Sequence, residues 1–121
     1  MKTISKFFCT QEDEVVSWTY DNRPVVKKFD AKIFAECFKE NDGVIVVIRS
    51  KKASPNNAVI FNPDGSKKSV VINPLAIKGS LGFSDVYYVK GNLTLISTGK
   101  LGQHSCVIDK EGNILSISET R

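Results

Sequence analysis

At 121 residues, 41% apolar and 25% charged, the chain has the composition of one ordinary globular domain, which excludes a fibre or a disordered polymer. Its 17 cations and 13 anions leave a net charge of +4, split evenly as +2 in each half, so no basic arm or stripe of the kind nucleic-acid binders carry stands out. The local clusters, Lys27–Lys28, Arg49–Lys52 and Lys67–Lys68, read as solvated turns and strand edges.

The first ten residues imitate a secretory leader through Lys2, Lys6, Phe7 and Phe8. Their apolar core is two residues, where a leader needs about 7–15. The longest apolar run is the five residues Val44–Ile48, against the ~20 that span a bilayer. Cys9, Cys37 and Cys106 are odd in number and widely spaced, as suits a reducing compartment. A cytoplasmic protein with no membrane partner is expected.

Residues 3–9 read as a short strand. Glu14–Tyr20 alternates more clearly, with Val16, Trp18 and Tyr20 on one face. Asp21–Pro24 is turn chemistry, and Val25–Phe29 returns to complete a hairpin. A helix is then predicted over about 30–41. Asp30 supplies its N-cap, Phe29 and Phe34 a hydrophobic staple, and Ile33, Phe34, Cys37 and Phe38 one apolar stripe. Gly43 is assigned the left-handed residue that ends it.

The run Val44–Ile48 has no polar side, which predicts a strand buried on both faces. Beyond it strands alternate with turns. Ala58–Phe61 and Ser69–Asn73 flank Asn62–Gly65, and residues 74–84 form a long connection. Val86–Val89 and Leu93–Ile96 flank Lys90–Asn92. Ser105–Ile108 and Ile114–Ile117 flank Asp109–Asn113. The fold class predicted is α+β, mainly β. A single domain, 1–121, holds an N-terminal hairpin and helix in 1–43 and an antiparallel meander in 44–121, with about 7–10 short strands and one helix in all. Val59–Ser66 and Cys106–Asn113 echo each other at an offset of 47 residues, near the length of a propeller blade, so a partial β-propeller is the alternative.

Catalytic patterns are thin. His104 is the only histidine. On a strand it would share a face with Cys106 and not with Ser105. Cys37 and Cys106 read as small buried apolar residues rather than reactive thiols. His104 and Cys106 make half a zinc site with no second half, and Glu12–Glu14 lacks calcium-loop spacing. Gly99 and Lys100 have Thr94 where a phosphate-cradling loop needs its first glycine. No enzyme, metal or cofactor is expected, and a small nuclease using His104 is the weakest reading.

A module of this size working through its surface resembles the small immunity proteins of bacterial contact-dependent and other polymorphic toxin systems. The likeness is one of type. It rests on the start Met1–Ser5, the single short helix, and the hairpins at Asn62–Gly65 and Lys110–Gly112. It implies a cytoplasmic inhibitor that binds a cognate toxin domain, a nuclease among the expected targets, and covers its active site as a monomer in a 1:1 complex. Inhibitors of basic nucleases are often acidic, so at +4 the contact would fall to local acids such as Glu12–Glu14 or to a mixed surface. Partner-interface anchors are sought among the large aromatics and arginine: Trp18, Tyr20, Arg49 and Tyr87. The runner-up is a small nucleic-acid-binding module built on the lysine-rich turns.

Overall fold

The computed structural model describes residues 3–10, 13–50 and 54–120. Met1, Lys2, Glu12, Lys51 and Lys52, which entered the sequence reading, lie outside them. The described residues form eleven strands and one turn of 3-10 helix. The strands are β1 (Ser5–Phe8), β2 (Val15–Tyr20), β3 (Arg23–Lys28), β4 (Lys32–Cys37), β5 (Val44–Arg49), β6 (Ala58–Phe61), β7 (Lys67–Val71), β8 (Ser80–Val89), β9 (Asn92–Gly99), β10 (Gly102–Ile108) and β11 (Ile114–Glu119). Each strand pairs antiparallel with its neighbours in the same sheet, giving three consecutive meanders: β1–β3, β4–β7 and β8–β11. The mainly β expectation holds.

The helix does not. Residues 30–41 contain β4, paired residue for residue with β5 from Lys32–Arg49 to Cys37–Val44. The stripe Ile33, Phe34, Cys37, Phe38 fits a helix face, but it also fits a strand covered on both sides. Ile33, Ala35 and Cys37 point into one apolar cluster, and Phe34 packs on the other, which Phe38 joins just past the strand. Asp30 therefore caps nothing helical. The left-handed residue is Asn41 (φ 57°), and Gly43 has a different reason to be glycine: a Cβ there would lie 2.8 Å from the Phe38 ring. A second correction shortens the long connection. After the 3-10 turn Ala76–Lys78 the chain enters β8 at Ser80, so much of 74–84 is strand.

Val44–Ile48 behaves as expected. Val44, Ile45, Val46 and Val47 are all fully buried. Val44 and Val46 face a cluster with Ile4, Val16, Trp18, Ile33 and Phe61, between the first and middle sheets. Ile45 and Val47 face Phe83, Val86, Leu93, Leu95, Cys106 and Ile108, between the middle and last sheets. The middle sheet is thus the filling of a three-layer stack, which is why its central strand has no polar side.

Turns obey their residues. Asp21 and Asn22, at φ 53° and 60°, make a two-residue hairpin, so Arg23 and Pro24 already belong to β3. The 47-residue echo is structural. In both four-stranded meanders the third-to-fourth turn is closed the same way, Asn62–Ser66 in one and Asp109–Asn113 in the other. Each lies beside a register shift, at Ile60/Phe61 and at Val107/Ile108. The first meander has three strands, so the repeat covers the second and third sheets.

Candidate functional site

The edge strand β4 of the middle sheet meets the edge strand β8 of the last sheet. Their junction leaves a cleft of about 240 Å³ lined by Cys9, Phe34, Ala35, Glu36, Asp85, Val86 and Tyr87. Alternation on β4 sends Phe34 and Glu36 to the side of the last sheet. On β8 a register shift between Phe83 and Asp85 re-aims the strand just before Asp85 and Tyr87. The result is a cleft lined by two carboxylates and two aromatic side chains.

Among the described residues, the charged side chains that line this cleft are both acidic. Burial, and then the charge of Asp85, push the Glu36 carboxyl above its ordinary range. Asp85 accepts a hydrogen bond from the Val86 amide at 2.8 Å, which orients its carboxylate. Cys9 sits beside them with its thiol pushed up by burial, then by Asp13 and Glu36. Asp13 is itself held below the ordinary carboxylate range by the Thr10 hydroxyl at 2.7 Å and the Glu14 amide at 2.8 Å. Part of the acidic run singled out from sequence thus lies near the cleft.

Of the four anchors sought, one lines the cleft and a second lies against one of its wall residues. Tyr87, 41% exposed, lines the cleft. The Arg49 guanidinium lies 6.0 Å over the ring of Phe34, which is also a cleft wall. The other two lie elsewhere. Trp18 is 2% exposed and its indole N–H donates to the Pro63 carbonyl at 2.7 Å, so both its apolar body and its polar handle are engaged within the chain. Tyr20 packs on the same first cluster. No family model, curated protein or solved structure matches this chain. What the site can do is read from its own chemistry.

Two carboxylates that repel each other in a cleft with aromatic walls suit a cationic group, because an ammonium or guanidinium relieves their repulsion and finds aromatic surface nearby. Glu36 and Asp85 escaped the sequence reading, since they lie 49 residues apart and only the β4–β8 contact joins them. The single usable signal was Glu36 itself, a carboxylate within the otherwise apolar run Ile33–Phe38.

Other sequence candidates stay apart from the cleft. His104 and Cys106 do share a strand face, opposite Ser97 and Leu95 of β9. His104 lines a recess of about 10 Å³ with Leu75 and Leu101, room for about one water and no substrate. The Cys106 thiol is fully buried and pushed up by burial. Cys37 rises to about 11 through burial and then the charges of Asp42 and Glu36. Neither thiol is activated in the way a nucleophile needs. Among the described residues no three His, Cys, Asp or Glu side chains are grouped to hold a metal.

Proposed function

We propose that the protein is a binding inhibitor of the immunity type. It neutralises a toxin domain by covering that domain's active site, and the β4–β8 cleft receives a cationic side chain from it. The observation that carries this reading is the half-buried Glu36 carboxyl, which shares one cleft with Asp85, Phe34 and Tyr87 and feels the charge of Asp85. A lysine or arginine of the partner is stabilised there by both charge and aromatic faces, in a place where water is already partly excluded. Arg49 and Asp13 at the margins offer charges of both signs for a polar rim, which favours fast and selective encounter.

An acidic cleft also reconciles the net charge of +4 with a basic target such as a nuclease. A nuclease active site is rich in cations that contact phosphate, and a local acidic site suffices to mimic that phosphate whatever the whole chain carries. The test pairs this chain with the product of the gene immediately upstream. Co-purification as a stable complex and rescue of growth are expected. Glu36→Lys with Asp85→Lys should weaken the complex by about 10²-fold or more, the scale of inverting a desolvated charge contact. An upstream product that is no toxin, with no rescue, ends the inhibitor reading. Rescue that survives both lysines ends the role of the cleft.

A further inference from the structure

Among the described residues, three sheets present six edge strands: β1 and β3, β4 and β7, β8 and β11. A bare edge is a template for further pairing, and proteins guard against it with lysine, proline, bulges or cover. Five of the six are guarded here. β1 is four residues long, with Lys6 at φ 54° and a register shift. β3 carries Arg23, Pro24, Lys27 and Lys28, and β7 opens on Lys67 and Lys68. β4 begins at Lys32, and its Ile33 amide donates to the Asp13 carbonyl at 2.8 Å. β8 has two register shifts and packs against β4 and β5.

β11 has neither the basic residues and proline nor the cover that guard other edges, and its one register shift lies at its start. Its sequence, Ile114, Leu115, Ser116, Ile117, Ser118, Glu119, holds no lysine, arginine or proline. Every residue after Ile114 is exposed, Leu115 at 63% and Ile117 at 44%. Its one irregularity falls opposite Val107/Ile108, which leaves Ser116–Glu119 in regular register with β10. The pairing continues to Thr120, whose amide donates to the Gln103 carbonyl at 3.0 Å.

We propose that β11 is a docking edge for a second copy of this chain, paired antiparallel to itself across a two-fold axis, so that two four-stranded sheets become one of eight. The strand is compatible with its own copy, because it carries one charge and one register keeps the two copies of that charge apart. Glu119 is the only charged residue of β11. A parallel arrangement would stack the two Glu119 side chains about 5 Å apart. Antiparallel partners must share a sheet face, so the axis passes through a residue and not between two. An axis at Ser118 leaves the glutamates about 7 Å apart, inside the screening length of roughly 8–10 Å. An axis at Ser116 drives the pairing into the irregular end. An axis at Ile117 separates the glutamates by about 14 Å, sets Ile117 against its copy, and pairs Ser116 with Ser118 twice. Two-fold isologous contacts of this kind are the commonest route to a homodimer. The edge lies on β11 and the cleft on β4 and β8, so each protomer keeps one cleft and a 1:1 ratio to any partner becomes 2:2.

Sedimentation and light scattering of the purified chain across about 1–200 μM test this. The expected result is a concentration-dependent dimer, with backbone amides of β11 exchanging more slowly as concentration rises. Ile117→Lys sets two ammonium groups opposite each other on the axis and should return a monomer with an unchanged circular dichroism spectrum. Ser116→Lys with Ser118→Lys should do the same while sparing every apolar side chain, which separates loss of pairing from loss of burial. A wild-type chain that stays monomeric at 200 μM overturns the proposal, even if β11 later takes a strand from another protein. So does a dimer that both lysine variants leave intact.

Discussion

The two interfaces of the stack are built on different principles. Between the first and middle sheets the contact is aromatic and apolar: Trp18 and Phe61 join Val16, Ile33, Val44 and Val46, with Phe29 tilted 59° against Phe61 at 6.3 Å. A side-chain hydrogen bond locks it, from the Trp18 indole to the Pro63 carbonyl. Between the middle and last sheets a core of aliphatic residues with Phe38 and Phe83 is bordered by polar pins. The Asn57 amide donates to the carbonyls of Ile48 at 2.9 Å and Phe83 at 2.8 Å, and its oxygen accepts from the Phe83 amide at 2.7 Å. Asn73, 3% exposed, ties Pro55, Leu75 and Ser80 together. Tyr88 donates to the Cys37 carbonyl, and Lys110 pairs with Asp42 and Glu40. Apolar packing tolerates small slips of one layer over another more readily than directional hydrogen bonds do, and the second interface carries more side-chain bonds of that kind. The pinned interface is the one that fixes β4 against β8, and so the geometry of the cleft.

The largest way to break this contrast is Trp18→Ala. Removing a buried Trp costs about 3–5 kcal/mol, with the Pro63 carbonyl left without its donor. Urea denaturation should report that loss. Hydrogen exchange should show it is local, with amides of β2 and β3 accelerating well before those of β9 and β10. Uniform acceleration would mean the three sheets unfold as one cooperative unit and that the two interfaces are not separable.

Asn57→Ala addresses the other side. It deprives the Phe83 amide and the Ile48 carbonyl of partners in a partly buried place, for about 2 kcal/mol. Its signature should be positional: β8 loosens on β5, the β4–β8 cleft loses definition, and partner binding falls by more than stability does. Asn57→Asp keeps the acceptor for the Phe83 amide and should recover part of the binding. Loss of stability with no change at the cleft would show the pin to be redundant.

How much of this was legible depended on whether a signal was local. Ten strands, the hairpin turns and the doubly buried Val44–Ile48 announce themselves through alternation and turn chemistry. β4 did not. Ile33, Phe34, Cys37 and Phe38 have one apolar spacing compatible with two periods, and only pairing with β5 decides between them. Asn57 and Asn73 looked like loop residues because their partners lie up to 26 residues away. The cleft is harder still, since Glu36 and Asp85 meet only through a contact between sheets. The rule that seeks scarce large aromatic and guanidinium groups picked Tyr87, which lines the cleft, and Arg49, which lies over Phe34, but it also chose Trp18, which the core absorbs.

The smallest expected effect probes the cleft without a partner. Glu36 is a carboxyl whose native pKa is raised, by burial first and by Asp85 second. A raised carboxyl favours the folded state while it is protonated, and that contribution is lost as pH climbs from the ordinary glutamate range through the raised native value. Glu36→Gln removes the titration. At the acid end, variant and wild type should have equal stability; with rising pH the variant should become the more stable, reaching a constant difference near neutrality. Thermal melts from pH 4 to 8 measure it, and the gap should be modest because water still reaches the cleft and screens the pair. A variant less stable than wild type at pH 7 would mean that the carboxylate is satisfied by the chain itself. If instead Glu36→Gln stabilises the free protein and weakens its complex, the same carboxylate is costly alone and useful in binding, as expected of a site held ready for a cation.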